Sequence, residues 1–500
     1  MILNINGNVN RYYVETLCLI FFPGSTFKEN ETVSDGVPVV DVDVYEEDEA
    51  ICASVAIRLN DRISRAKETM PLTQGTSIAS RESVCVGRAM FSACKELVGH
   101  TPPWGILTGV RPAKIARGLL VDGKGVLKAK KILRDEYFLN PQKAALAVSV
   151  ASQEAKLMKK VPENTCSLYI SIPFCPTRCS YCSFVSYTTP RLLSLIPDYI
   201  NALLLDIDYK FKIISDLGLK VTTVYIGGGT PTTLSAEQLE QIFKKLSEHI
   251  SLDTLQEFTL EAGRPDTITK EKLRVALKYG VTRISVNPQT LNDEILREIG
   301  RRHTTEDFFR AYALAKESGI RDINVDLIAG LPGDDFKSFS DTIDRILELE
   351  PTNITVHTFC VKKAADVLKQ NTGIYSVSGD DANKCISYSQ LKTKFAGYKP
   401  YYMYKQKNAV GNLENVGFSI EGHEGLYNIF MMEELQTIFA CGAGAVTKLV
   451  RYNENTGYND IKRIFNAKYP YEYLNIVGDG ELFSKKREKD YSEVIDFFKA

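Results

Sequence analysis

Cys175, Cys179 and Cys182 stand in the run Ser-Ile-Pro-Phe-Cys-Pro-Thr-Arg-Cys-Ser-Tyr-Cys-Ser-Phe (171–184), at C-x3-C-x2-C spacing. Three thiolates so placed can hold three corners of a cubane iron–sulfur cluster and leave the fourth iron open to a small molecule. The same positions fall at i, i+4 and i+7, one stripe of a helix. Pro173 and Pro176, with Ser180 and Ser183, oppose a buried helix there. A structural zinc wants four ligands, and no partner cysteine pair stands nearby. Cys166 sits across a seven-residue strand, roughly 23 Å away at ~3.3 Å per residue, and cannot supply the fourth. The open cluster is the reading that survives, and it makes the chain an enzyme.

The remaining cysteines, Cys18, Cys52, Cys85, Cys94, Cys360, Cys385 and Cys441, stand singly in mostly apolar surroundings and read as small buried hydrophobes. Eleven cysteines, with no basic and apolar leader after Met1, argue for reduced thiols in a cytoplasmic protein over a disulfide framework. A net charge of −1 gives no electrostatic case for nucleic acid or an anionic membrane as partner. Apolar stretches such as 16–23 and 200–207 are far too short to span a bilayer. With 500 residues, 44 % of them hydrophobic, the chain has room for two to four domains with buried cores.

A cluster loop must be held by regular elements, and three regions separate. Residues 1–160 mix strand-like runs (39–44, 50–58) with helical ones (84–98, 141–160), an N-terminal α+β domain of unassigned role. Between them the Gly/Pro-punctuated segment 104–114 leads into a helix. From 161 to 371 short apolar strands, expected at 167–173, 221–226, 257–261, 283–287, 322–328 and 353–359, alternate with amphipathic helices at 236–250, 270–279, 305–318 and 336–349. Ser235 and Thr269 suit N-caps, and Gly280 and Gly319 suit helix stops. Six such units in series are an α/β arrangement, an incomplete (β/α)6 relative of the closed eight-unit barrel. Residues 372–500 read as a less regular, mixed extension that completes or covers the barrel, with a helical tail near 491–499. No internal repeat or low-complexity tract is evident.

In barrels of this class the functional groups gather at the C-terminal ends of the strands. The cysteine loop follows the first strand and Gly227-Gly228-Gly229-Thr230-Pro231 the second. Glu261 ends the third, Gln289 follows the fourth, Asp326 lies late in the fifth and His357 late in the sixth. Arg264 and Arg301 fall near the same face. The glycines let backbone approach a ligand closely, although a tight strand-to-helix turn uses the same residues. Beside a cluster loop, the polar amino-acid end of a ligand is the better match. Asp326 alternates with Val325 and Leu327, so it and Asn324 point away from the helix-facing side.

These residues resemble the radical S-adenosylmethionine (SAM) superfamily. More closely, they resemble the oxygen-independent coproporphyrinogen III oxidase (coproporphyrinogen dehydrogenase) family. The core of the match runs from Ser167 to Phe359, through Tyr169-x-x-Ile-Pro-Phe-Cys, Gly-Gly-Gly-Thr-Pro, Thr259-Leu-Glu-Ala and Asn324-Val-Asp-Leu-Ile-Ala-Gly-Leu-Pro332. With residues 104–114, 406–417 and Gly442-Ala-Gly-Ala445, the whole chain looks like the longer clostridial and bacillar branch.

The resemblance implies a radical SAM barrel in which Cys175, Cys179 and Cys182 ligate a 4Fe–4S cluster. Gly228, Gly229 and Thr230 would hold the methionyl end of SAM. Glu261, Gln289, Arg301 and Asp326 match SAM-contacting positions, and Tyr169 matches one beside the cluster. Tyr169 and Glu261 are the residues assigned to catalysis. A reduced flavodoxin- or ferredoxin-type donor would charge the cluster. A 5′-deoxyadenosyl radical would then take hydrogen from a propionate of coproporphyrinogen III, a tetrapyrrole. Loss of carbon dioxide and one electron leaves a vinyl group, and two turns give protoporphyrinogen IX, in haem biosynthesis. Two positions depart from the oxidase pattern. Phe184 stands where the oxidase has a fourth cysteine, as in haem-chaperone relatives, and Ser171 stands where it has histidine. They open a second reading, a haem chaperone with His357 and His423 as candidate axial ligands; a third is a tetrapyrrole-modifying radical methyltransferase or a haem-degrading enzyme.

Overall fold

A computed structural model describes residues 1–27, 36–72, 81–182, 186–360, 379–407, 409–455 and 457–499. Phe184 and the boundary expected at residue 371 lie outside the described residues. No helix of the described residues is long and apolar enough to cross a membrane.

The N-terminal region builds a four-stranded sheet from β1 (Ile2–Asn6), β2 (Val39–Glu47), β3 (Ala50–Leu59) and β4 (Arg62–Pro71), in that order. Alternation drives it: Val40, Val42, Ala53, Val55 and Ile57 face inward on helices Arg11–Phe21 and Arg81–Val98. Asp41, Asp43 and Arg58 face out, and Arg58 pairs with Asp41 at 3.2 Å.

The second sheet carries the site. Its six parallel strands are β5 (Thr165–Ile172), β6 (Lys220–Gly228), β7 (Glu257–Glu261), β8 (Arg283–Ser285), β9 (Asp322–Ala329) and β10 (Asn353–Thr358), hydrogen-bonded in sequence order. All six expected strands are present within two residues at either end. The four helices expected between them form at Ala236–Ser247, Lys270–Lys278, Thr305–Glu317 and Phe336–Glu348. Ser235 closes a capping box with Gln238, Thr269 accepts from Lys272 N, and Gly280 and Gly319 both take φ +81°. A further helix, Ile196–Asp216, lies in the first crossover.

The expectation of a less regular C-terminal region is corrected. Helix Gly379–Phe395 is followed by β11 (Lys399–Lys405), β12 (Glu414–Ser419), β13 (Ile438–Cys441), β14 (Val446–Asn453) and β15 (Tyr458–Phe465). They extend both edges of the parallel sheet, giving eleven strands in the order β11-β12-β10-β9-β8-β7-β6-β5-β13-β14-β15. β13 runs parallel to β5, whereas β12 runs antiparallel to β10. β12 and β13 join the parallel sheet through partners 60 to 271 residues away, a non-local pattern that local periodicity does not encode. The helical tail is longer than expected, covering Gly480–Lys499.

Helices from the N-terminal region bridge the two free edges. Helix Pro141–Met158 packs on β11, and helix Ala113–Val121 packs on it in turn. Lys114 lies 6.0 Å over the Tyr458 ring of β15, and Arg117 pairs with Glu433 before β13. At the mouth end of β11 and β12, buried Glu414 accepts from Lys143 (2.6 Å), Trp104 (2.7 Å) and Gln390 (2.6 Å). Beside it, burial pushes the Lys405 ammonium down to about 7.

The lumen is polar at both ends. At the floor Arg283 meets Glu257 (3.5 Å), Asp322 (3.4 Å) and Asn353, and Asp322 holds His423 Nδ1 at 2.5 Å. Glu257 also accepts the amides of Leu426 and Tyr427, which seats helix Leu426–Met432 beneath the strands. Tyr427 rises from it to stack on Tyr225 at 4.6 Å and Tyr169 at 6.5 Å.

Candidate active site

The cysteine loop leaves β5 with no helix among its described residues. Cys175 N donates to Tyr187 O (3.0 Å) and Tyr187 N to Pro173 O (2.9 Å), which clips the two ends of the loop together. Cys182 N reaches back to Cys179 O at 3.1 Å. The middle of the loop is pinned to the C-terminus of the short helix Asp293–Glu298 that follows β8: Ser180 N donates to Ile299 O (3.0 Å) and Thr177 Oγ1 to Gly300 O (3.0 Å). Gly300 has φ +78°, and a β-carbon there would stand 2.9 Å from Arg178 O, so the approach requires glycine. Cys179 is buried, while Cys175 and Cys182 are partly exposed neighbours. Burial pushes the Cys175 thiol up to about 11, partly offset by the Thr230 hydroxyl 3.4 Å away. Cys166 begins β5 at the opposite end of the strand.

The glycine loop leaves β6 and lies directly on the root of the cysteine loop. Gly229 N donates to Ile172 O and Thr230 N to Phe174 O, both at 2.8 Å. A β-carbon on Gly229 would stand 2.6 Å from Phe174 O and 2.9 Å from Ile172 O. The need for glycine at 229 therefore comes from contact between two loops, and Gly228 (φ +105°) needs its own conformational freedom. Thr230 is buried with its hydroxyl on Cys175.

Across the mouth stand the carboxylates. Glu261 accepts a short hydrogen bond from Tyr225, a residue the sequence reading did not single out. Burial, then the charge of Asp326, pushes the Glu261 carboxyl up to about 7. Asp326 receives Asn324 Nδ2 (2.7 Å) and Asn287 Nδ2 (2.9 Å), and His357 Nε2 lies 3.7 Å away. Burial works against its charge, but bonds from His357, Asn324 and Thr355 hold it below the usual carboxylate range. Tyr404 stands 3.4 Å from His357 Nδ1. Gln289 is buried at φ +72°, a left-handed conformation costly for a side chain of this size. Its Oε1 has no partner among the described residues. Arg301 is buried and donates to Asn287 O (2.5 Å) and Gly263 O (3.2 Å). Tyr169 stacks on Tyr225 at 6.2 Å.

The structure thus brings Cys175, Cys179, Cys182, Gly228, Gly229, Thr230, Glu261, Gln289, Arg301 and Asp326 to one end of the strands, with Tyr169 lower in the lumen. Tyr225, Asn287 and Thr355 were accessible to the alternation argument that identified Asn324 and Asp326. Tyr404 and Tyr427 were not, because they arrive from distant strands. Ser171 donates to Ala443 O at 2.8 Å, so the Gly442–Ala445 segment buttresses the cysteine loop. His357 and His423 lie at opposite ends of the lumen. Their partners Asp326 and Asp322 are four residues apart on β9, about 13 Å, too far to grip one iron from two sides.

Residues 169–346 match the Radical SAM superfamily model. The chain is 38 % identical over 382 residues to the oxygen-independent coproporphyrinogen-III oxidase-like protein HemZ of Bacillus subtilis, covering 75 % of each chain. It is 30 % identical over 280 residues to the heme chaperone HemW of Lactococcus lactis, 56 % of this chain and 68 % of that one. Coproporphyrinogen III oxidase (HemN) from Escherichia coli, a solved structure, shares the fold at a TM-score of 0.51 and 22 % identity. That alignment covers 66 % of this chain and 72 % of the other. The superfamily uses a 4Fe–4S cluster and SAM. The residues present fit both: thiols carried on one loop with Cys166 out of reach, and a buried Gln289 oxygen awaiting a donor. The likeness to HemZ spans three quarters of both chains and reaches well beyond the barrel core, so this chain belongs to the oxygen-independent coproporphyrinogen-III oxidase-like family of the radical SAM superfamily.

Proposed function

We propose that the chain oxidatively decarboxylates two propionates of coproporphyrinogen III to vinyl groups, giving protoporphyrinogen IX. The observation that carries this reading is the convergence of cysteine loop, glycine loop and paired carboxylates at one end of the strands, in a chain whose relative HemZ is described as coproporphyrinogen-III oxidase-like. Cys175, Cys179 and Cys182 would hold the cluster; Gly228, Gly229, Thr230, Glu261, Gln289, Arg301 and Asp326 would hold SAM. Together these groups, when bound, supply a 5′-deoxyadenosyl radical. The protein's part is orientation and exclusion of water. Tyr225 fixes the Glu261 carboxyl, and Asn287, Asn324 and His357 keep Asp326 ionised. The Tyr169, Tyr225 and Tyr427 rings close the lumen below the mouth. A reduced flavodoxin- or ferredoxin-type protein is the electron donor in this reading.

Anaerobically reconstituted protein with reductant, SAM and cell extract as electron acceptor should convert coproporphyrinogen III to protoporphyrinogen IX. Cys179→Ala should lose both cluster and SAM cleavage. Robust SAM cleavage without porphyrinogen turnover would sink the proposal. The 30 % identity to a HemW heme chaperone supports a second reading, haem trafficking with the cluster retained. Stoichiometric haem binding with transfer to an apo-haemoprotein supports it, and no Soret shift on titration removes it. Product mass separates both readings from a radical methyltransferase.

A further inference from the structure

Arg264 belongs to the strand-end group, yet neither the SAM contacts nor the substrate reading gives it a role. It follows β7 and is 3 % exposed, a charge almost fully withdrawn from water. Its guanidinium points into the cysteine loop. Nη2 donates to Thr177 Oγ1 at 2.6 Å and Nη1 to Cys179 Sγ at 3.5 Å. Nε faces Asp266 Oδ1 at 3.4 Å, and that carboxylate is about a quarter exposed (26 %), so it neutralises the cation incompletely. The backbone is locked: Thr267 N (3.0 Å) and Thr267 Oγ1 (2.7 Å) both donate to Arg264 O, and Thr267 Oγ1 meets Thr232 Oγ1 at 2.6 Å in the turn after the glycine loop. Arg264 therefore ties three strand-end loops to one ligand sulfur.

A cluster on three thiolates becomes one unit more negative when reduced. A fixed cation on a ligand sulfur, weakly screened because it is buried, favours that reduced form. Arg301 brings a second buried guanidinium towards the same cysteine. We infer that Arg264 is a positioning residue for the cluster, orienting Cys179 and raising the reduction potential so that a biological donor can charge it. This rests on the cluster alone and is independent of the tetrapyrrole reaction.

The test is an anaerobic redox titration of the reconstituted full chain without SAM or tetrapyrrole, followed by the electron paramagnetic resonance of the reduced cluster. Arg264→Gln should keep parental iron and sulfide content while making reduction about tenfold less favourable, a midpoint about 59 mV lower. Arg264→Lys should recover most of that loss. Asp266→Asn, which removes the counter-charge, should move the midpoint upward. An unmoved midpoint in a fully loaded Arg264→Gln protein overturns the inference, as does a lysine variant that falls as far as glutamine. If glutamine prevents cluster loading, Asp266→Asn decides: a midpoint that stays or falls overturns it. Turnover is not read, so failure here leaves the proposed reaction standing, and failed turnover leaves this inference standing.

Discussion

Glu261 and Asp326 are two carboxyl groups in one buried mouth, and their surroundings drive them apart. Asp326 has the amides and the imidazole; Glu261 is raised by burial and then by the charge of Asp326, which its bond from the Tyr225 phenol only partly offsets, so its carboxyl titrates near 7. Its folded value lies above the ordinary 4.5, so the folded chain keeps a proton that the unfolded chain releases between those values. Stability of the unliganded protein from this group is therefore full below about 4.5 and lost as pH rises through about 7. Glu261→Gln should flatten that part of the Tm-versus-pH curve. If the sulfonium of SAM favours ionised Glu261, binding should also release a proton near pH 7, seen by calorimetry in buffers of different ionisation enthalpy, and the variant should release none. At this scale the sequence was legible where strand alternation applied, as at Asn324, Asp326 and His357. It put Arg264 near the mouth but gave no direction for its side chain, because a loop residue's direction is fixed by contacts with Thr177 and Cys179 that no periodicity encodes.

The elements of the parallel half were legible because their signals are local: apolar runs, N-caps such as Ser235 and Thr269, and glycine stops. β11 to β15 were not, since the sheet edges they extend are joined through β12 on β10 and β13 on β5, partners far along the chain. The glycine loop shows how two elements share one requirement. A β-carbon on Gly229 would collide with two backbone carbonyls, whereas one on Gly227 would meet the Tyr225 ring at 2.9 Å, and a ring can tilt. Gly229→Ala should therefore lower iron content after reconstitution well below that of Gly227→Ala, measured as iron and sulfide per chain. Equal content in the two variants would mean that the contact between the loops does not seat the cysteines.

Across the whole molecule, the N-terminal region is built into the barrel wall. Glu414 is the common acceptor of Lys143, Trp104 and Gln390, with Lys405 buried beside it. Glu414→Gln leaves the buried Lys143 ammonium without its counter-charge and should cost about 3–5 kcal/mol in a denaturant titration. A loss within about 0.5 kcal/mol, typical of surface substitutions, would show that the joint is not what holds the regions together. The buttress of the cysteine loop has a consequence in time. β5 is complete by residue 172, but Ser171 rests on Ala443 O, and Tyr199 binds both Ser171 O (2.8 Å) and Ala443 N (2.9 Å). A ribosome that has just released the three cysteines has yet to make the bed they lie on. The seat of the loop is complete only once residue 443 has left the ribosome, so stable loading with iron and sulfide is expected after synthesis and not during it.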